Sequence, residues 1–433
     1  MICDNLTVSK DGTHLQFAGV DTVKLAEKYD TPLYLMDEMK IRQKCRIYQT
    51  ALKENFGARA EALFASKACA FKRLYQIIDE EGLGIDVVSC GEIYTASIAG
   101  FDLKKAYFHS NNKTNADIKY AIEKGIGYFV ADNIEEVNAI EREAARRNIT
   151  QDILLRLTPG IDTHTYEAVA TGKVDSKFGS AIETGQADEI TRQTLPKEHI
   201  NLVGFHCHLG SQIFDEDVFE RGAEVMLRFI ASVRDKYGYT AAQLDLGGGY
   251  GVRYTEDDPE LDIATKIREV ADRVKKICAE LSLEVPEIRM EPGRSLVGDA
   301  GMTLYTVGTI KSIPGYKNYV SIDGGMQDNP RFALYKSAYT CLTANKMDEP
   351  CSFKASLVGR CCESGDIIQE NVMFPESIMR NDIVAVLTTG AYNYSMASNY
   401  NKVARPPVVM LADGKDYLAV RRETFEDMAE RDI

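Results

Sequence analysis

Several short stretches of this chain hold residue types that could act together chemically. Lys67, in FASKAC, closes an apolar, buried-looking segment. Desolvation there disfavours an ammonium, and a neutral amine can attack an aldehyde to give a Schiff base; a lysine at such a place also reads as a solvated strand end. Gly247-Gly248-Gly249 follows another apolar segment. Backbone without side chains can approach a phosphate and present its N–H groups, or serve only as a flexible turn. Glu291-Pro292-Gly293-Arg294 offers a carboxylate able to keep a ring nitrogen protonated and a glycine that lets the backbone turn toward an anion; a β-turn with a surface ion pair is the plainer reading. In His206-Cys207-His208-Leu209-Gly210-Ser211-Gln212 two histidines share one strand face. With no third ligand evident, no metal is expected, and one ring is read as a core or stacking group. Cys361-Cys362-Glu363-Ser364-Gly365-Asp366 concentrates thiol and carboxylate, although burial is the usual fate of a cysteine.

These groups need elements to place them. Apolar segments at 62–66, 84–89, 105–109, 127–131, 152–157, 201–207, 243–247 and 286–291 predict eight strands. Helical patterns fall between them at 70–81, 90–99, 114–124, 133–147, 215–236 and 260–282. The fourth helix has Asn133 as its cap, Glu135 and Glu136 in its first turn and Arg146 and Arg147 in its last, charges that suit the helix dipole. Such alternation predicts a (β/α)8 TIM-type barrel, with an open doubly wound sheet as the alternative. Placement of the polar residues favours the barrel: Lys67, Asp86, His109, Arg156, His208, Gly247–Gly249 and Glu291 all fall at or just past C-terminal strand ends. The stretch 158–200 reads as a long loop. After about residue 300 the pattern changes to strands at 303–311, 318–322, 353–358, 382–388 and 407–411, which predicts an antiparallel β-domain. The barrel is expected over 31–299 and the β-domain over 300–433, joined by residues 1–30.

Composition limits the function classes. A length of 433 residues predicts two domains, and a net charge of -14 argues against nucleic-acid binding. No apolar run reaches the ~20 residues that cross a bilayer, so no membrane role is expected. The first residues lack an export signal, and ten scattered cysteines without a zinc-type CxxC pair suit a cytoplasmic protein with reduced thiols.

Taken together, FASKAC, RLTPGIDTHTYEAVATGKVDSKFG, GFHCHLGSQ, LDLGGGYG, EPGR, CCESGD and TTGAYNYSMASNYN resemble the fold-type III pyridoxal-phosphate-dependent decarboxylases, and among them the diaminopimelate decarboxylases, over nearly the whole chain. The resemblance implies decarboxylation of meso-2,6-diaminopimelate to L-lysine, the last step of lysine biosynthesis, with pyridoxal 5'-phosphate as cofactor. It implies that Lys67 carries the cofactor, His208 stacks on its ring and Glu291 pairs with the ring nitrogen, with Asp86 among the cofactor-binding residues. Ser211, Gly248, Gly249, the Gly293–Arg294 backbone and the Tyr392 hydroxyl would hold the phosphate. Arg294, Arg331, Tyr335, Glu363 and Tyr392 would bind substrate, and Cys362 would reprotonate the carbanion. Glu363 and Cys362 would come from the partner subunit of a homodimer with shared active sites. Phe64, Cys69 and Tyr166 depart from the family's usual tyrosine, asparagine and histidine. A decarboxylase of the same fold acting on carboxynorspermidine or another basic amino acid is one alternative, against which Arg331, Tyr335 and SKFG weigh. A catalytically inactive regulatory relative is the other; it would be expected to lack Lys67, the phosphate glycines or Cys362.

Overall fold

A computed structural model describes residues 1–161, 175–214 and 217–433. Tyr166 and residues 215–216, at the expected start of one helix, lie outside the described residues. The chain forms two compact units, one of residues 43–251 and 261–295, the other of 1–42, 252–260 and 296–433. These bounds differ from the expected 31–299 at both ends, and they assign the short segment 252–260 to the second unit.

In the first unit eight parallel strands close on themselves: β1 Glu61–Ala65, β2 Gly84–Val87, β3 Ala106–Phe108, β4 Tyr128–Ala131, β5 Gln151–Thr158, β6 Ile200–His206, β7 Gln243–Asp245 and β8 Glu287–Met290. β8 pairs with β1 to shut the barrel. Helices Lys72–Glu80, Cys90–Ile98, Asn115–Lys124, Ile134–Arg146, Val218–Tyr237 and Ile263–Glu280 return the chain, as the hydrophobic period predicts. Asn133 caps its helix by accepting the Glu136 N–H at 2.9 Å. Glu136, however, does more than face the dipole. It turns inward, 3.0 Å from the buried Lys113 ammonium, and accepts the Asp132 N–H at 2.7 Å.

Among the helices that were not legible in the sequence, two flank barrel strands. Glu38–Phe56 precedes β1, and Gln186–Thr194 lies within the stretch expected to be a loop. The second buries only Ala187, Ile190, Thr191 and Thr194 and starts from a glycine without a side-chain cap, so its apolar stripe is half threonine and its start is unmarked.

The barrel interior is layered by the strand period of two. In a lower layer Tyr107 donates to Gln243 Oε1 at 3.2 Å, and Arg289 Nε donates to the Tyr107 hydroxyl at 3.2 Å. Two residues further along the same chain segments stand His109, Asp245 and Glu291. The alternation that turns the first trio inward therefore sends the second trio to the C-terminal mouth.

The second unit is built on the 13-residue strand Gly301–Ile313, which pairs with Leu33–Asp37, Ile383–Leu387 and Lys317–Ile322. Its sheet continues through Cys351–Val358 to Ile367–Pro375 on one side and through Val408–Ala412 to Lys415–Val420 on the other. Most pairings are antiparallel, as expected, but Lys317–Ile322 runs parallel to Cys351–Val358, and Leu33–Asp37 parallel to Val408–Ala412. Residues before 30 add a small sheet of Leu6–Val8, Leu15–Phe17 and Val20–Asp21.

Candidate active site

Lys67 leaves β1 in a single 3-10 turn, Ser66–Ala68, with its side chain 39% exposed and Nζ 3.7 Å from Asp86 Oδ2. Asp86, the last residue but one of β2, is fully buried, and neither of its oxygens has a hydrogen-bond partner among the described residues. Burial pushes that carboxyl up, and the neighbouring His109 and Lys67 oppose the rise.

Glu291 follows β8 and is buried between two imidazoles: His109 Nε2 lies 2.6 Å from Oε1 and His206 Nε2 lies 3.2 Å from Oε2. Burial alone would raise this carboxyl, yet the two histidines hold it well below the usual range. Both histidines are themselves pushed down by burial, and their rings meet edge to face at 4.8 Å. Among the described residues, His109, His206, Asp245 and Glu291 bring one donor atom each to within 4.8 Å of the others. The carboxylates that one strand could not offer its histidines thus arrive from β7 and β8.

His206 and His208 take different tasks. His206 points into the barrel, whereas His208 Nδ1 accepts the Gly248 N–H at 3.3 Å, which places the ring proton on Nε2. Desolvation, then Lys67 and Arg156, keep His208 well below its ordinary range and neutral.

The glycine run is required by close approach. A Cβ on Gly247, at φ +68°, would meet the Cys207 carbonyl at 2.5 Å, and one on Gly248 would run into the Glu291 carbonyl oxygen. Gly293 is similarly packed, against Ala65 and Ala68. Arg294 reaches back so that Nη2 and Nε donate to Ser211 Oγ at 2.9 and 3.2 Å. Arg156, buried on β5, lies 4.4 Å over the Phe178 ring of the SKFG stretch. Gly179 of that stretch donates its N–H to Asp132 Oδ1 at 2.9 Å.

The remaining expected residues belong to the second unit. Arg331 is buried; Nη1 donates to the Tyr339 hydroxyl at 2.9 Å and Nη2 to Ser337 Oγ at 3.2 Å. The rings of Tyr254, Tyr339 and Tyr392 surround its guanidinium at 4.9, 5.7 and 6.0 Å. No carboxylate of the described residues pairs with it. Tyr335 closes the same short helix, Arg331–Tyr335, half-buried. Tyr392 has φ +73°, a backbone conformation that costs a non-glycine residue of order 1–3 kcal/mol and clusters at functional positions. In the CCESGD loop Asp366 accepts the Cys361 and Met326 N–H groups at 2.8 and 2.6 Å, which pins the base of the loop. Cys361 is turned in toward Gln327, while Cys362 and Glu363 are exposed.

Strand-end position had marked His109 and Arg156 as polar residues at the mouth but gave them no role, and it missed Asp245. The usable signal was Asp245 lying two residues beyond Gln243, on the same inward face.

Residues 38–298 match the family model described as "Pyridoxal-dependent decarboxylase, pyridoxal binding domain". The diaminopimelate decarboxylase of Bacillus subtilis is 44% identical over 97% of this chain and 95% of its own length. That of Staphylococcus aureus is 42% identical over 96% of each. The solved diaminopimelate decarboxylase of M. jannaschii in co-complex with L-lysine superposes with a TM-score of 0.91 at 32% identity, covering 100% of this chain and 98% of that one. Shared sequence at this level over both units, together with a barrel mouth that carries the lysine, the glycine run and the acid-histidine cluster, establishes that this chain belongs to the diaminopimelate decarboxylases, a branch of the pyridoxal-dependent decarboxylase family.

Proposed function

We propose that the protein removes CO2 from one head of meso-2,6-diaminopimelate to leave L-lysine, with pyridoxal 5'-phosphate held at the mouth of the barrel. The observation that carries this reading is the convergence of Lys67, Asp86, His208, Glu291 and the glycine run at C-terminal strand ends of one closed barrel.

The residues fit the cofactor. Asp86 has two buried oxygens with no hydrogen-bond partner beside an amine, and the Gly247–Gly249 backbone would collide with any added Cβ. When bound, the cofactor accepts the electron pair that departing CO2 leaves on the α-carbon. Lys67 would hold it covalently, with Asp86 orienting that amine. His208, neutral and fixed through Nδ1, offers a ring face for stacking. Glu291, its charge kept by two imidazoles, would pair with the ring nitrogen and hold a proton there. Ser211, Gly248, Gly249, Gly293 and Arg294 with the Tyr392 hydroxyl serve the phosphate, for which backbone N–H groups and a guanidinium are suited donors.

The substrate has a second amino-acid head far from the reacting carbon. Arg331 suits its carboxylate, because a buried guanidinium with hydroxyl and aromatic neighbours but no carboxylate among the described residues calls for an anion. Arg294, Tyr335 and Tyr392 add contacts, and Glu363 suits the distal ammonium. Cys362 delivers the proton to the α-carbon. Cys362 and Glu363, both exposed on the CCESGD loop, act on the partner subunit's site in a homodimer, for which C2 symmetry is the simplest form. Among the described residues no helix is long and apolar enough to cross a membrane, and a cytoplasmic setting suits cysteines that form no disulfide among those residues.

Incubation of the purified protein separately with meso-diaminopimelate, ornithine and arginine tests the reading. CO2 and lysine are expected from the first alone; faster CO2 release from ornithine would overturn the substrate assignment.

A further inference from the structure

One buried group at the barrel mouth has no part in the scheme above. Asp245 is fully buried at the end of β7; its Oδ1 accepts the Gly247 N–H at 2.8 Å, and its Oδ2 has no hydrogen-bond partner. Glu291 belongs to the same 4.8 Å cluster; its Oε2 is hydrogen-bonded to His206 Nε2 at 3.2 Å, and its Oε1 lies 2.6 Å from His109 Nε2, a close contact without hydrogen-bond alignment. Two carboxyls this close and this desolvated do not both ionise, and the charge settles where the donors are. On that ground the charge belongs to Glu291, which has an imidazole nitrogen near each oxygen, and the proton to Asp245 Oδ2, which has no hydrogen-bond partner among the described residues.

We propose that Asp245 is a neutral carboxylic acid in the native protein, protonated on Oδ2, and that it is a positioning residue which fixes both the Gly247 turn and the single negative charge of the cluster. The part of this that concerns the cofactor rests on the placement of Glu291 at the ring nitrogen; the protonation state does not. The titratable groups facing Asp245 are Glu291, His109 and His206 in the cluster, with Asp86, Cys207 and Tyr107 also acting on it electrostatically. Burial first, and then the Glu291 charge, raise the Asp245 carboxyl well above the usual range. With one proton shared between two acids and both imidazoles neutral, the cluster carries one net negative charge, which matches one protonated ring nitrogen.

Infrared difference spectra of the full-length protein at neutral pH, wild type against Asp245→Asn, read the proton directly. The carbonyl-stretch band of a buried protonated carboxylic acid is expected in the wild type and lost in the variant; no such band overturns the proposal. If Asp245→Asn fails to fold, the difference between wild type and Asp245→Ala decides, because Glu92 and Asp328 also carry carboxyls raised by burial: a protonated-acid band lost with Asp245 supports the proposal and an unchanged spectrum overturns it. Thermal unfolding supplies a second reading. A carboxyl whose folded-state pKa is raised binds its proton in the folded state at pH values where the unfolded chain has released it, so stability is lost as pH rises toward the raised value. The melting temperature of Asp245→Asn relative to wild type should therefore climb with pH, and a pH-independent gap would overturn the idea. Neither reading needs cofactor or turnover, so failure of the functional assignment would leave both legible. For the positioning role, Asp245→Asn should hold cofactor roughly fivefold more tightly than Asp245→Ala, because only an amide oxygen still accepts the Gly247 N–H. Equal loss in both variants would remove that part.

Discussion

The barrel mouth and the Arg331 pocket handle buried charge in opposite ways. At the mouth, Glu291 is flanked by His109 and His206 within 3.2 Å, Lys67 faces Asp86 at 3.7 Å, and His208 is pinned by the Gly248 N–H. Opposite charges and ring dipoles face one another there before any ligand arrives, while the Asp86 oxygens stay without hydrogen-bond partners among the described residues. Around Arg331 the guanidinium meets two hydroxyls and three tyrosine rings but no carboxylate of the described residues. A buried ion whose counter-ion is missing costs stability, and the cost is recovered only when an anion binds. The contrast separates chemistry from selection. The barrel is built to hold a reactive group still, and the arginine pocket is built to be completed by its ligand.

The comparison can be broken at its strongest point first. Lys67→Ala should abolish turnover and leave no cofactor attached to the chain after borohydride reduction, read by intact mass; retention of a covalent adduct would remove the lysine from its role. Cys362→Ala should keep the adduct and lower kcat by about 10²–10⁴-fold, the range typical of a lost general acid, in steady-state assays of lysine formation. Unchanged kcat would assign the proton to another group.

Arg331→Gln tests the other side of the contrast. Removing one partner of a buried, hydrogen-bonded charge pair costs about 2–5 kcal/mol, so the KM for meso-diaminopimelate should rise between about thirtyfold and several thousandfold while cofactor binding is kept. Arg331→Lys should recover little, because an ammonium lacks the planar fork. A loss confined to kcat would mean that the pocket does not select the distal head.

The smallest effect concerns Glu92, which accepts the Val88 N–H at 2.7 Å and whose carboxyl is raised by burial to about 7. Because the folded-state value lies above the unfolded one, the stability that its protonation contributes is full below the ordinary glutamate range and is lost as pH rises through about 7. Glu92→Gln keeps the acceptor oxygen and removes the titration, so its melting temperature should gain a few degrees on wild type across that window; parallel curves would show that the carboxyl ionises normally.

Local sequence specified the barrel strands because burial on both faces demands apolar runs, and it specified Asn133, Lys67 and the glycine run because each task admits few residue types. It said little about Gln186–Thr194, whose buried stripe is half threonine, or about Leu33–Asp37, whose partners on either side are Gly301–Ile313 and Val408–Ala412. A strand's partners hundreds of residues away leave no local trace, so which sheet it joins is decided only by tertiary packing. The same limit applied at the site. Motifs named Lys67, His208 and Glu291 one at a time, each with an ordinary alternative reading, but whether Glu291 keeps its charge and Asp245 its proton depends on two imidazoles delivered by β3 and β6. Residue type and strand period were the sequence's to set. The ionisation of the cluster is set by distances of a few ångströms between strands far apart in the chain, and those exist only once the barrel has closed.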